Sequence, residues 1–532
     1  MRWAMACYVL FIIALAAAIL YAGPVTQVAF GHDLFFALEG GWKILHGDRL
    51  YVDFPSLVGP IPHLFMAMAI SLTGPVPAAF PVATVITLLP ISVLTWHVLA
   101  RRLHPLFCLG AATYLMLVWT APYPLHFYFG ATTYAMTYNR YGYVFLGLLM
   151  AMLLSPRRPD WFYVGLLLGL LFFNKIPHFI SGIGLLAYHF VLQRPDRKAL
   201  LPAVTGFLTI AVPITLFLGL DGLAGMISLF IQAGEARSPD VISTGITLLE
   251  TELPNALSVL LAAVCFLIVF QEKNASSDKS RAVLTRDNWK LTAEAVIVVL
   301  ISILTEMGGS PLGYLFDIPL LGLYSVILMD RAFTRATYTW NFYRSPAAWS
   351  SFAVIASCWF LIEPLWYHSY LSVYMTLQDR IASRCRFYTS QDVIEAPGYE
   401  NMLIIGTSGT YPKDRTYTDK INDGLKLIRS HPDFRHKVIA TLDFTDAFSC
   451  TRGNTSPPHM PLSLQFGVNV NDRVYPDPAV ILSGTQGLMI PKYPDSDLRT
   501  VPLLLDKYKG YIDAHYTVRG ESLFWTLYAR NP

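Results

Sequence analysis

Apolar and polar positions divide the chain into two regimes. From Trp3 to Phe30 no residue is charged. A membrane-crossing helix needs about 20 apolar residues, whereas the apolar core of a signal peptide runs to about 7–15. Residues 5–22 are therefore predicted to be a retained span. Further apolar runs lie near 78–100, 104–121, 141–154, 161–173, 177–193, 199–220, 256–270, 291–307, 312–329 and 346–366. The shorter ones must extend into their flanks, which gives eleven spans in all. Beyond residue 366 apolar stretches alternate with Gly, Pro and Asp breaks. Met402–Gly406, Lys437–Leu442 and Ala479–Leu482 read as strands, and Asp419–Arg429 and Leu503–Ala514 as helices. Residues 367–532 are thus predicted to be a small α/β domain.

The segment between the first two spans, 23–77, has a pattern of its own. Leu34, Leu38, Trp42 and Leu45 recur at helical spacing behind Asp33, predicting an amphipathic helix on the membrane surface. Gly47 is a plausible stop. Arg49–Phe54 is expected to run extended, Pro55 to Pro62 to bend, and Ile61–Leu72 to form a second, interfacial helix. A later segment, 221–255, starts with an amphipathic stretch, Leu223–Ile231, and is long enough for a lid.

Composition agrees with this division. Of 532 residues, 54% are hydrophobic and 14% charged, against about 25% charged in a soluble domain. Charged residues make up 11% of residues 1–366 and 21% of residues 367–532. A soluble multidomain enzyme, a disordered chain and a small disulfide scaffold are excluded. The net charge of +3 gives no electrostatic footprint for nucleic acid.

With Ile61–Leu72 left out of the span count, every arginine-rich turn falls on one side. These turns hold 15 basic residues, including Arg101, Arg102, Arg157, Arg158, Arg331 and Arg335. The opposite side holds five: Lys43, Arg49, Arg140, Lys175 and Arg237. Short basic loops stay cytoplasmic. The N-terminus is then cytoplasmic, and eleven spans leave the C-terminal domain outside. Cys385 and Cys450, both in that domain, could pair in an oxidising compartment or lie apart by chance.

The candidate chemistry lies on the outer side. Asp33, just ahead of a surface helix, suits an N-cap accepting a backbone N–H. It also suits a general base held at the membrane surface. Arg140 and Lys175 interrupt apolar sequence, where a cation is costly unless paired, snorkelling or facing a wet cavity; a phosphate at the membrane edge would suit both. Arg237 is a weaker candidate. His32, Glu39, Asp53, Tyr138 and Asn139 are candidates for substrate contact, with a solvated or structural role as the alternative for Glu39 and Asp53. No metal-ligand spacing is seen among the His residues, although a divalent cation held by carboxylates could replace the Arg/Lys role.

Several of these features occur together in a known family. A first span is followed by an Asp-headed surface helix, then Gly47-Asp48-Arg49-Leu50-Tyr51-Val52-Asp53, then a second surface helix and a span ending in Ala100-Arg101-Arg102-Leu103. This order resembles the GT-C membrane glycosyltransferases, in the branch of protein mannosyltransferases and lipid A aminoarabinose transferase. The Asn174-Lys175-Ile176-Pro177 turn resembles the family's Lys-Gly/Pro turn. The likeness is clearest over residues 1–195 and only architectural in the tail.

The resemblance implies a GT-C-like module over 1–366 in the bacterial inner (cytoplasmic) membrane, with a periplasmic domain over 367–532. It also implies transfer of a sugar from a polyprenyl-phosphate carrier to a hydroxyl of a lipid, glycan or protein. Asp33 would then be the base, and Arg140, Lys175 and Arg237 would hold the donor phosphate. A lipid carrier or flippase, and a non-catalytic envelope scaffold, are the alternative classes.

Overall fold

In a computed structural model, the described residues are 1–25, 27, 30–121, 133–155, 157–193, 197–237, 278–307, most of 320–331, 393–400 and, with short gaps, 402–532. Among them the predicted helices appear close to their expected bounds: α1 Arg2–Ala22, α2 Asp33–Leu45, α3 Pro60–Thr73, α4 Ala79–Ala100, α5 Pro105–Thr120, α6 Thr137–Leu154, α7 Trp161–Asn174 and α8 Ile176–Gln193. Helix α9, Leu200–Arg237, is broken at Gly219 (φ 73°, ψ 168°) and carries the amphipathic stretch Leu223–Ile231 onward as helix. Helix α10 covers Asp278–Met307. The expected spans at 256–270 and 346–366, and most of the lid-like segment beyond residue 237, lie outside the described residues.

Among the described residues, three helices are long and apolar enough to cross a membrane: Arg2–Ala22, Ala79–Ala100 and Leu200–Glu235. Helices α1, α4–α8 and α10 bury one continuous apolar core, with Leu88, Trp119, Phe145, Leu149, Leu167 and Ile301 at its centre. Helices α7 and α9 meet backbone to backbone. A Cβ on Gly165 would stand 1.7 Å from the Ala203 carbonyl oxygen, and one on Gly206 1.9 Å from that of Phe162. Small residues permit such close helix packing in lipid, where a hydrophobic driving force is missing.

The arginine-rich turns gather at one end of this bundle. Arg102 donates to the carbonyls of Arg157 (3.0 Å) and Arg158 (2.6 Å). Arg331 pairs with Glu294 at 2.7 Å and donates to the Leu154 carbonyl. Helices α2 and α3 and the Asn174–Lys175 turn sit elsewhere: the Gly59 N–H donates to the Asn174 carbonyl at 2.8 Å.

The tail folds around a four-stranded mixed sheet, β1 Ile439–Thr441, β2 Gly487–Pro491, β3 Tyr516–Glu521 and β4 Trp525–Arg530, in the order β1-β2-β4-β3. Strand β1 runs parallel to β2; the other pairs are antiparallel. Helices α11 Tyr417–Arg429, α12 Phe448–Arg452 and α13 Thr500–His515 pack around it, with a helical turn at Pro478–Ile481. The strand expected at Ala479–Leu482 is thus not formed. Pro478 fits the first helical position, and the Asp477 carboxylate accepts the Ala479 N–H at 2.9 Å, capping the turn.

The tail does not hang on a tether. Leu34, Phe35 and Leu38 of α2, Met66 and Ile70 of α3, and Phe80 of α4 share one apolar core with Tyr399, Tyr417, Ile421, Phe448 and Trp525. The apolar face of α2 therefore packs against the tail and α3 rather than facing lipid along its length.

Candidate active site

Helix α2 opens at Asp33, and its N-cap is His32. No side chain caps the helix, so Asp33 is not the N-cap that its sequence position suggests. Its carboxylate stands in the first turn, where the positive end of the helix favours an anion. Burial works the other way: only 12% of the side chain is exposed, and desolvation raises its pKa to about 7. His32 Nε2 lies 3.6 Å from Asp33 Oδ1. The His32 ring is itself buried, which lowers its pKa to about 3 and keeps it neutral.

Asp33 faces a narrow cleft lined by Phe36 and Ala37 of α2, Pro62, His63, Phe65 and Met66 of α3, Phe80, Ala83 and Thr84 of α4, and Tyr134, Met136, Thr137, Tyr138 and Tyr141. Its volume is about 20 Å³, room for about one water. The structure thus brings Asp33 and Tyr138 together. Lys175 and Asn139 sit one layer behind Tyr138. Lys175 Nζ lies 4.9 Å from the centre of the Tyr138 ring and donates to Asn139 Oδ1 at 2.7 Å. Arg140, 2% exposed, lies beside Tyr134 and Tyr141. The two expected cations are therefore buried behind the tyrosine wall of the cleft. Arg237 ends α9, and its side chain lies outside the described residues.

A second space of about 330 Å³ opens between Tyr51, Val52 and Pro55–Leu57, Leu229 and Gln232 of α9, and tail residues including His459, Asn469 and Tyr475. The two spaces share a wall. Ser56 lines the larger one and His63 the cleft, and the Ser56 hydroxyl and His63 Nε2 are 2.7 Å apart. His63 was not legible as a site residue. A lone histidine in Ile61–Leu72 reads as part of an interfacial face, and its partner Ser56 comes from the preceding bend. Gly59 fixes that bend, since a Cβ there would stand 2.0 Å from the Phe173 carbonyl oxygen.

Glu39 and Asp53 are placed elsewhere. Glu39 points into the joint with the tail: its Oε1 accepts the Ser456 N–H at 3.1 Å, while Lys43 Nζ donates to the carbonyls of Ser456 (3.2 Å) and Pro457 (3.0 Å). Burial and then the nearby Asp446 raise the Glu39 pKa. Asp53 is tied to Arg49, accepting its backbone N–H at 2.8 Å and its Nε at 3.2 Å. Residues 49–54 consequently form a tight turn rather than an extended run, with the Tyr51 N–H bonded to the Phe54 carbonyl at 2.8 Å and Tyr51 at φ 67°. Cys450 is a buried free thiol on α12, and Cys385, its possible partner, lies outside the described residues. Among the described residues no group of three or more His, Cys, Asp or Glu side chains could hold a metal ion.

No protein-family model matches the chain, and no curated protein matches it. Among solved structures it is similar to the crystal structure of ArnT from Cupriavidus metallidurans bound to undecaprenyl phosphate. The TM-score is 0.46 and the identity 14%, over 99% of each chain. The apo state of the same protein gives a TM-score of 0.45 and 12% identity, over 99% of this chain and 100% of that one.

Proposed function

We propose that this chain is a GT-C-type membrane glycosyltransferase. It moves a sugar from a polyprenyl-phosphate carrier to a hydroxyl of an envelope lipid, glycan or protein. The reaction takes place on the outer face of the bacterial inner membrane, with the N-terminus cytoplasmic and the tail periplasmic. The observation that carries this reading is Asp33, a carboxyl with 12% of its side chain exposed, in the first turn of α2 and facing a cleft beside two buried cations. The sequence motif around it supports the same chemistry.

An acceptor hydroxyl must lose a proton as it attacks the sugar. A carboxyl with its pKa near 7 is basic enough to take that proton and is partly ionised at neutral pH. The leaving phosphate is already anionic and needs cations more than an acid. Lys175 and Arg140 supply them once the cleft widens, and a swing of the Tyr138 ring uncovers Lys175 and Asn139 together. The acceptor enters from the larger space beyond Ser56 and His63. Direct displacement breaks the bond from sugar to phosphate as the new glycosidic bond forms, inverting the anomeric centre.

The test is transfer from polyprenyl-phosphate sugars to envelope acceptors by purified full-length protein. Asp33→Asn should lower transfer by about 10²–10⁴-fold with the fold intact by circular dichroism. Full activity in that variant overturns the reading.

A further inference from the structure

The tail reaches the N-terminus of α2 through a chain of buried contacts. Lys420 of α11 is fully buried, bonded to Asp443 and 3.0 Å from Asp495. Asp443 Oδ1 in turn accepts the N–H of Phe444 at 2.9 Å and that of Asp495 at 3.1 Å. This fixes the segment that follows β1. Its next two residues grip His32: the Phe444 ring packs edge-on against the imidazole at 4.3 Å between centres, and Thr445 Oγ1 donates to the His32 carbonyl at 3.0 Å. The Tyr417 ring also meets the imidazole edge-on, with 6.5 Å between centres.

Held this way, the ring has one nitrogen toward Asp33 and one in the protein. Nδ1 is buried with no hydrogen-bond partner. A buried N–H without an acceptor is rarer and costlier than an idle lone pair. The neutral ring therefore keeps its proton on Nε2, which is the nitrogen 3.6 Å from Asp33 Oδ1. That distance is just beyond a hydrogen bond.

We propose that His32 is a positioning residue through which the tail holds and tunes Asp33: its Nε2–H, aimed by Phe444 and Thr445, stabilises the Asp33 carboxylate. The proposal rests on Asp33 being the reacting carboxylate. It gives the tail a role in setting the base, separate from acceptor binding. Other titratable groups facing this pair are Lys420, Asp443, Asp495 and Tyr417 from the tail, His63 from α3, and Tyr134, Tyr138, Arg140 and Tyr141 from the stretch entering α6. None of them is altered by the test below.

A donor that stabilises the charged form lowers a carboxyl's pKa, so removing it raises the pKa. The experiment is a pH titration of the protonated Asp33 carboxyl band by infrared difference spectroscopy. The full chain is held in lipid nanodiscs, and the band is assigned by its loss in Asp33→Asn. His32→Leu should raise the midpoint by about one pH unit, a tenfold gain in proton affinity. His32→Gln, which keeps a donor, should restore most of it, and Thr445→Val should move the midpoint the same way by less. An unchanged midpoint in His32→Leu overturns the proposal. So does an equal shift in His32→Leu and His32→Gln, which would mean that packing alone matters. No shift in Thr445→Val removes the tail from the argument. The titration needs no turnover, so its outcome is independent of the glycosyl-transfer assay: transfer surviving in Asp33→Asn would refute the enzyme reading and leave this coupling to stand or fall by itself.

Discussion

Helix α2 carries two carboxyls largely withdrawn from water that look alike in sequence and differ in surroundings. Glu39 faces the tail. It accepts a backbone N–H and lies in a joint also tied down by Lys43, which caps two tail carbonyls. Asp33 faces a cleft, and the neutral His32 imidazole stands 3.6 Å away, not yet at hydrogen-bond distance. Burial raises the pKa of both. A raised pKa alone does not mark chemistry, since structural networks produce the same shift. What separates the two is what each one faces. Glu39 takes part in holding two pieces of chain together, while Asp33 opens onto a space that could admit a substrate.

The largest expected effect tests that separation directly. Asp33→Asn should remove nearly all transfer, whereas Glu39→Gln, which keeps an acceptor for the Ser456 N–H, should leave kcat within about threefold. Each change should be small in thermal unfolding. Reversed results, with Glu39→Gln inactive and Asp33→Asn active, would exchange the two roles.

Next in size is the tail's own anchor. Lys420 bridges two carboxyls in a buried site, one positive charge between two acids: desolvation opposes its charge, but Asp443 and Asp495 together hold its pKa above the usual lysine value. Lys420→Met leaves like charges buried together and should destabilise the tail by about 3–5 kcal/mol, read by chemical denaturation of the full chain. It should also loosen residues 443–445 and His32 in hydrogen exchange. Loss of tail stability with unchanged exchange at His32 would show that the tail and the base are not coupled through this path.

Asn139→Ala comes third. It withdraws the acceptor at 2.7 Å from the Lys175 ammonium, a bond of a kind worth about 1.5–3 kcal/mol. If Lys175 later binds the donor phosphate, KM for the donor should rise while the acceptor KM stays level. Equal changes in both would place Lys175 on the structural side with Glu39.

Much of this architecture was legible because lipid imposes a simple rule. Long apolar runs gave α1, α4, α5, α7 and α8 nearly to the residue, and helical spacing behind Asp33 gave α2. The short run beginning at Tyr141 is part of a longer helix that starts at Thr137. Arg140 and Lys175 stand out in the sequence because each interrupts apolar residues, and Asp33 because it heads a helix; Asp33 and Tyr138 line one cleft, with Lys175 and Asn139 bonded to each other behind the Tyr138 ring. What escaped notice depends on contacts distant in sequence. Nothing near Lys43 announces that Ser456 and Pro457 will cover it, or near Lys420 that Asp443 and Asp495 will pair with it. The turn at 49–54 closes on a single carboxylate, Asp53, which could as well have faced solvent. Strand β3 has a mostly exposed burial pattern, so its sequence carries little alternation to read.

The smallest effect concerns pH at the joint between α2 and the tail. The folded-state pKa of Glu39 is raised to about 8, above the unfolded value of about 4.3. A raised carboxyl stabilises the folded state below its unfolded pKa, and that contribution is lost as pH rises through the folded value. The joint should thus be tightest in mild acid and loosen through about pH 8, as an ionised Glu39 faces Asp446 with only the Ser456 N–H and the nearby Lys43 in compensation. Hydrogen exchange at residues 456–460 of the full chain, followed from pH 6 to 9 after correction for intrinsic rates, is the measurement. Glu39→Gln should flatten the profile and Asp33→Asn should leave it in place. A flat wild-type profile would mean that Glu39 is held ionised by Lys43, making the joint a true ion pair and its contrast with Asp33 sharper still.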